Sequence, residues 1–501
     1  MTKRRQLAGS GDRNLDGPPQ GITKKRTIVA VFWSSCDAFT RIGLQFIVSI
    51  ILARILTPNE FGTIALLSMF VGIANVFVDG GFTSALIQSQ NHSYDDECTV
   101  FWFNMLVGVS AAALLILSAP TIAIFYSIPV LIPLTQLVAA SVALSGLSAL
   151  HVTLLKKKLD FRRLMVIGGV ASLVSGTAAV YLAVRGYGVW ALAAQTVVAS
   201  IVTTLMAWLM HPWRPSFLFR RASIVRLFGF GGYMLAARLL DVANQRLYTM
   251  TIGRFHGPAE LGIYLRAENT RQMPVGLFTG ILSSVAYPAF ANIAGDREKL
   301  KQAVRLCVRS IMFINVPLML GLALASAPVI ELLFGPKWRS SAPLLQILCL
   351  AGILWPLQVI SDSAILAVGR SRTYLKAGTV KKVIGLGMVI CASYYSVTLI
   401  AYTQAVLSIV YFVITARINQ NVLGYSVRDQ VMDFRGVLVV GSAVSAMMYY
   451  LQSKIAMHLG PELFMLAIGA LVYACLCLTL KLVRLSELEG LFRRPNRVNS
   501  A

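Results

Sequence analysis

Charged residues are scarce in this sequence, and so are the side chains that carry most enzyme chemistry. Of 501 residues only 13% are Asp, Glu, Lys or Arg, about half the share typical of soluble globular proteins. An ordinary cytosolic enzyme is therefore excluded. There are 7 cysteines. Cys36, Cys307, Cys349, Cys391, Cys475 and Cys477 lie in or beside apolar stretches, Cys98 stands alone, and no Cys-x-x-Cys occurs. The 5 histidines, at 92, 151, 211, 256 and 458, are too scattered for a zinc site. No metal or cofactor is expected. The phosphate-cradling GxxxxGK[ST] loop is also missing, so the chain cannot build such an ATPase by itself. Acids are the scarcest charge, 21 against 45 Lys and Arg, which leaves a net charge of +24. That excess fits either a nucleic-acid partner or the basic cytoplasmic loops of a membrane protein.

What is abundant is apolar: 56% of residues are hydrophobic. Runs of about 20 such residues span a bilayer. They predict an all-α polytopic membrane protein of about 14 transmembrane helices, at 30–55, 61–78, 100–125, 134–155, 164–184, 189–210, 227–253, 262–287, 310–333, 342–366, 378–394, 399–416, 436–452 and 463–481. A slight break at Ser396–Thr398 separates two of them. Residues 1–28 are polar and basic, and read as a disordered cytoplasmic tail before an uncleaved first helix. With that tail inside, most of the Lys and Arg fall on its side, which predicts both termini in the cytoplasm and no nucleic-acid partner. The inside gap 79–99 departs from this pattern, holding Asp79, Asp95, Asp96 and Glu97 without a basic residue. The sequon Asn91-His-Ser93 falls in the same gap. No outer loop is long enough for a catalytic domain, which favours transport.

The sequence matches itself at a spacing of 200 residues: Arg54, Pro58, Glu60 and Gly62 recur as Arg254, Pro258, Glu260 and Gly262. Pro and Glu suit a first helical turn, and the arginines are expected to snorkel to headgroups. Six expected spans separate the copies, so both face the same way, as in parallel repeats about an axis along the membrane normal. The predicted organisation is an N-lobe at 29–210, a cytoplasmic linker at 211–226, a C-lobe at 227–418, two further helices at 436–483 and a cytoplasmic tail at 484–501.

Polar stripes run through the spans. Ser34, Asp37, Arg41, Gln45 and Ser49 share one helical face, and Arg238, Asp241, Gln245 and Thr249 repeat the design. Gln45 and Ser49 map onto Gln245 and Thr249 at the same offset. Nearby stand Asn244, Arg246, Arg266, Glu268, Arg271 and Gln272, with Asp362 further on. A charge at the bilayer centre costs about 2.5–3.5 kcal/mol on insertion scales, so these faces should avoid lipid. They either glue helices together as self-satisfied pairs, Asp37–Arg41 and Arg238–Asp241, or line a hydrated cleft. In the second case Arg41 and Arg271 suit phosphate oxygens. Asp37, Gln45, Arg238, Asp241, Asn244, Gln245 and Glu268 complete the candidate substrate-binding set.

Several segments carry a family resemblance. Arg54-Ile-Leu-Thr-Pro-Asn-Glu-Phe-Gly62, Asp79-Gly-Gly-Phe-Thr-Ser-Ala-Leu-Ile-Gln88 and Phe101-Trp-Phe-Asn104 come first. Ile252-Gly-Arg254, Leu261-Gly-Ile-Tyr264, Pro274, Tyr287-Pro-Ala-Phe290 and Leu333-Phe-Gly-Pro-Lys-Trp338 follow in the second half. From about residue 30 to 420 the chain resembles Wzx-type polysaccharide transporters of the colanic-acid and exopolysaccharide branch. These belong to the multidrug/oligosaccharidyl-lipid/polysaccharide (MOP) flippase superfamily. The resemblance implies a non-enzymatic, multi-pass inner-membrane flippase. Its substrate would be undecaprenyl-diphosphate-linked oligosaccharide repeat units, handed on to polymerase and export machinery for exopolysaccharide, capsule or O-antigen synthesis. Where many members carry an Asp four residues before Ile-Gly-Arg, this chain has Tyr248. The rival readings are a cation-coupled multidrug antiporter of the same superfamily and a membrane polysaccharide polymerase or glycosyltransferase.

Overall fold

The computed structural model describes residues 24–79, 83, 86, 93–454 and 459–480. Among the described residues all regular structure is helical. The N-terminal half runs α1 (Lys24–Ile55), α2 (Pro58–Asp79), α3 (Tyr94–Tyr126), α4 (Leu131–Lys157), α5 (Phe161–Val184) and α6 (Val189–Met210). Then come α7 (Arg221–Phe255), α8 (Gly257–Asn292), α9 (Arg297–Leu324), α10 (Ser326–Phe334) and a 3-10 turn at Pro336–Trp338. The remainder is α11 (Ser341–Ile353), α12 (Trp355–Ala367), α13 (Ser371–Ser393), α14 (Val397–Leu423), α15 (Val427–Lys454) and α16 (Leu459–Thr479).

Every expected span falls on this series, with local differences. Residues 24–28, expected in the tail, open α1. The segment 310–333 crosses a bend at Ala325 and divides between α9 and α10. Helix α9 starts earlier, at Arg297, because the Asp296 carboxylate caps it by accepting from the Lys299 amide at 3.1 Å. Helix α7 begins at Arg221, inside the expected linker. The break at Ser396 is real, and its hydroxyl caps α14 by accepting from the Leu399 amide. Residues 1–23, Asn91 of the sequon and the tail 484–501 lie outside the described residues.

Among the described residues 9 spans are long and apolar enough to cross a membrane. The acidic gap has a physical reason: Asp95, Asp96 and Glu97 form the first turn of α3, where the helix dipole favours negative charge. Ser93 and Asp96 close a capping box there, and Arg220 pairs with Asp95 at 2.6 Å.

The helices gather into two lobes. In the N-lobe α1 packs on α5, α3 on α4, and α4 and α5 on α6. In the C-lobe α8 packs on α11 and α12, these pack on α14, and α13 packs on α14 and α7. Helices α15 and α16 attach to the outside of α9. There the buried Asp433 accepts from Arg305 at 2.8 Å, from Arg309 at 2.6 Å and from the Tyr425 hydroxyl at 2.7 Å.

The lobes meet where the two copies of the internal repeat pack on each other. Helix α2 lies against α8 and α7, and the repeat glycines make the approach possible. A Cβ on Gly62 would sit 2.5 Å from the Pro258 carbonyl carbon, and a Cβ on Gly262 would sit 2.8 Å from that of Pro58. The contact is reciprocal, as the repeat requires.

Candidate functional site: two polar cavities and a sealed rim

The α1 stripe faces a cavity of about 630 Å³ within the N-lobe, lined by Ser34, Asp37, Arg41 and Gln45 with Lys156 of α4. Arg41 Nη2 donates to Asp37 Oδ2 at 3.1 Å, yet the Arg41 side chain stays 57% exposed. Gly168 of α5 leaves room for this pair, since a Cβ there would lie 3.3 Å from Arg41 Cδ and 3.5 Å from Asp37 Oδ1. Lys156 adds a second cation to the same wall.

A second cavity, of about 560 Å³, lies in the C-lobe and is lined by Gln245, Glu268, Arg271, Gln272, Trp355 and Gln404 among others. Arg271 donates to Glu268 Oε1 at 2.5 Å, and Gln272 donates to the same oxygen at 3.1 Å. The Arg271 side chain is only 4% exposed. Arg271 Nε and Glu268 Oε2 are buried without a hydrogen-bond partner, a state that a ligand or ordered water relieves. Arg246 lines this cavity at the lobe boundary and donates to Ser68 of α2 at 3.5 Å.

The remaining expected residues stand elsewhere. Asp241 is exposed and takes Lys382 of α13 at 2.5 Å. Arg238 is half-buried, and the side chain of Asn244 lies outside the described residues. Asp362 pairs with Lys381 at 3.6 Å. Arg41 and Arg271, which the sequence reading groups at one substrate, line different cavities. Sequence reasoning missed Lys156, just past the expected span 134–155, and also Trp355, Gln358, Gln404 and Tyr411. Pro356 was the available signal for part of this set. It interrupts an apolar span and splits it into α11 and α12, and proline-interrupted spans often border transporter sites.

That break is well satisfied. Pro356 has no N–H for the carbonyl of Gly352; Asn315 Nδ2 of α9 supplies one at 3.1 Å, and donates to the Ile353 carbonyl at 2.9 Å.

At the α1–α2 end of the molecule the lobes exchange caps. The orphan carbonyls of the last turn of α1 accept from the C-lobe: Ala53 from Trp338 Nε1 at 2.8 Å and Ile55 from Lys337 Nζ at 3.0 Å. Arg54 returns the favour to the last turn of α10, donating to the carbonyls of Leu333, at 3.1 Å, and Leu332. Arg54 therefore bridges the lobes, where snorkelling to headgroups was expected. Behind it Arg266 lies 4.4–4.5 Å from the ring centroids of Phe61, Phe334 and Trp338 and donates to Ser49 Oγ at 2.9 Å.

Comparison with known proteins agrees with this architecture. The chain is 26% identical over 465 residues to the teichuronic acid biosynthesis protein TuaB of Bacillus subtilis strain 168, covering 90% of this chain and 94% of that one. It is 27% identical over 336 residues to the succinoglycan biosynthesis transport protein ExoT of Rhizobium meliloti strain 1021, covering 67% and 68%. The fold resembles that of the lipid II flippase MurJ in its inward closed conformation, with a TM-score of 0.71 at 15% identity, covering 89% of this chain and 97% of that one. The family profile described as "Polysaccharide biosynthesis protein" matches residues 51–343. Since that match takes in more than half of the sequence, the chain belongs to the polysaccharide biosynthesis protein family.

Proposed function

We propose that the chain is a flippase that carries polyprenyl-diphosphate-linked oligosaccharide repeat units across the bacterial inner membrane, for exopolysaccharide, capsule or O-antigen assembly. One observation carries this reading: two polar cavities sit inside apolar helical lobes whose α1–α2 ends are sealed together. The two relatives agree, since both are named for polymer biosynthesis and one for transport.

The barrier to be lowered is desolvation of a charged sugar head, and no covalent step is needed. A hydrated cleft replaces bulk water for the head while the polyprenyl tail stays in lipid. The excess of basic residues on one side puts both termini in the cytoplasm. The sealed rim then faces outward and the cavities open inward. Rocking of the N-lobe against the C-lobe breaks the rim and closes the opposite end. Arg41, held by Asp37 yet exposed, neutralises the diphosphate together with Lys156. Gln45 and Gln245 bond polar groups of the head. Arg271 and Glu268 form an ion pair within α8 that puts a charge-balanced polar group on the wall of the C-lobe cavity. Polymerase and export machinery consume the delivered repeat unit outside.

A cationic drug would require a carboxylate left available to it. In the two cavities Asp37 and Glu268 each sit against an arginine, which disfavours the drug-antiporter reading. The test is the leaflet distribution of lipid-linked repeat units in a deletion strain. Accumulation on the inner leaflet, cured by the wild-type gene, supports the flippase; accumulation on the outer leaflet identifies a polymerase and overturns the proposal. Arg41→Ala at matched membrane levels should abolish polymer export.

A further inference from the structure

The two cavities are of similar size but differ in wall chemistry. Among the described residues the wall of the N-lobe cavity has one aromatic residue, Phe161, beside Arg41, Lys156, Asp37, two glutamines (Gln45 and Gln195), hydroxyls and aliphatic groups. The C-lobe cavity is walled by Tyr248, Tyr264, Trp355 and Tyr411, with side-chain amides interleaved. Gln245, Gln272, Gln358 and Gln404 supply four of these amides. An amide both donates and accepts, which matches a hydroxyl that does the same. Aromatic faces give a broad apolar surface with a fixed orientation. Rings plus convergent amides in a pocket of this volume describe a site for a small polyhydroxylated ligand.

Trp355 is the distinctive element. It sits at the break between α11 and α12, and it is 39% exposed while Ile353 and Leu357 on either side are 7% and 2% exposed. Leu350 of α11 is likewise exposed, at 49%, and what distinguishes Trp355 is that the fold fixes it at the cavity. Asn315 caps the Gly352 carbonyl that Pro356 leaves without a donor, and the Ile353 carbonyl beside it, so the break is tied to α9 with Trp355 on the cavity wall. Gln358, one turn on, lines the same wall. The cations of this cavity are engaged, Arg271 by Glu268 and Arg246 by Ser68, and the nearly buried Arg271 still carries an unpartnered Nε.

The geometry points to the C-lobe cavity as the carbohydrate subsite, with the Trp355 ring as the platform for a sugar of the repeat unit and the neighbouring glutamines bonding its hydroxyls. This rests on the flippase reading and deepens it: the head is divided, with the diphosphate at Arg41 and Lys156 and the sugars in the C-lobe. Sugar preference is then set by the walls around Trp355, while phosphate binding is common to any repeat unit.

The test compares two probes on purified full-length protein in nanodiscs. One is undecaprenyl diphosphate without sugar. The other is the lipid-linked repeat unit extracted from a polymerase-deficient strain of the protein's host. Trp355→Ala should weaken the sugar-bearing lipid about thirtyfold, the scale of losing a tryptophan anchor, and leave undecaprenyl diphosphate unchanged. Trp355→Phe, which keeps a ring, should recover most of the loss, and Gln358→Ala should show the same selectivity with a smaller effect. Equal weakening of both probes in Trp355→Ala and Trp355→Phe makes the residue structural and overturns the subsite. Unchanged binding of both probes in Trp355→Ala overturns it too. Failure of the wild type to bind either probe instead overturns the flippase reading, which the leaflet assay reads separately.

Discussion

Gly62→Ala adds one methyl group at the point where the two repeat copies touch. The new Cβ would lie 2.5 Å from the carbonyl carbon of Pro258 and 3.0 Å from its Cα. Carbon atoms rest at about 3.5–4.0 Å, so α2 and α8 must part by roughly 1 Å. No side chain can turn aside, because the obstacle is the backbone of the first turn of α8. Two energies compete. Alanine is favoured over glycine within a helix by about 0.8–1.0 kcal/mol, whereas overpacking costs about 1–3 kcal/mol. The helix propensity is present whether the rim is closed or open, so it cancels between the two states. The clash exists only when the rim is closed. Gly62→Ala should therefore shift the equilibrium toward the open rim by about 5- to 150-fold. A reporter cysteine at Ala53, which is wholly buried beside the Trp338 indole, can be introduced after the native cysteines are replaced. Its labelling by a membrane-impermeant maleimide on intact cells should accelerate at least fivefold, and polymer export should fall. Gly262→Ala should do the same through Pro58, and the double variant should show less than the sum, since one methyl already separates the backbones that the other meets. Unchanged labelling with a raised melting temperature would refute the argument, because propensity would then be the only effect felt.

Arg266→Lys keeps the charge but loses the flat guanidinium among three rings; at about 2 kcal/mol for a desolvated cation–π site, it should loosen the rim in the same labelling assay, and wild-type labelling would show that the cage is dispensable. Asn315→Ala leaves the Gly352 and Ile353 carbonyls buried without their donor, which should cost about 1–3 kcal/mol; thermal unfolding in detergent reads this, and an unshifted transition would mean that the break does not depend on α9. Burial, with Lys158, Arg163 and Arg214 nearby, lowers the pKa of His211 in the segment that follows α6. The unfolded chain therefore takes up the proton more readily than the folded one, so stability is complete above about pH 6.5 and declines as the pH falls below it. Melting at pH 7.5 and 5.5 should show the decline, and His211→Gln should reduce it; an identical pH dependence in the variant would remove His211 from the account.

Much of this architecture is legible in the sequence because membrane helices are written in hydropathy, and inserted repeats in spacing. The offset of 200 residues picks out Pro58/Pro258 and Gly62/Gly262, but sequence alone assigns them only a helix-starting role, and it takes the packing of α2 on α8 to show that they touch. Helical periodicity also identifies the face holding Asp37, Arg41 and Gln45. What periodicity cannot give is the neighbour that face meets. From Ser34 to Gln45 the stripe of α1 looks into its own lobe, against α4 and α5, so that Arg41 and Arg271 are apart, while Ser49 reaches Arg266 of the C-lobe. Lys156 and Trp355 are brought to the cavities by packing between helices distant in sequence. The partners of Arg54 lie 278 and 279 residues away, too far for any local pattern to register.

The exchange of caps at the rim bears on how costly a turnover is. When the lobes part, the carbonyls of Ala53, Ile55, Leu332 and Leu333 lose their protein donors at the mouth of a widening aqueous passage, where water can take over. Replacing a protein hydrogen bond by one to water changes the free energy by only about 0.5–1.5 kcal/mol. A junction of a few such bonds is therefore specific in geometry yet shallow in energy. Differential affinity of the bound lipid for the two states can then decide which one is populated. The same bonds placed at mid-bilayer, with no water to receive the carbonyls, would have made a permanent weld.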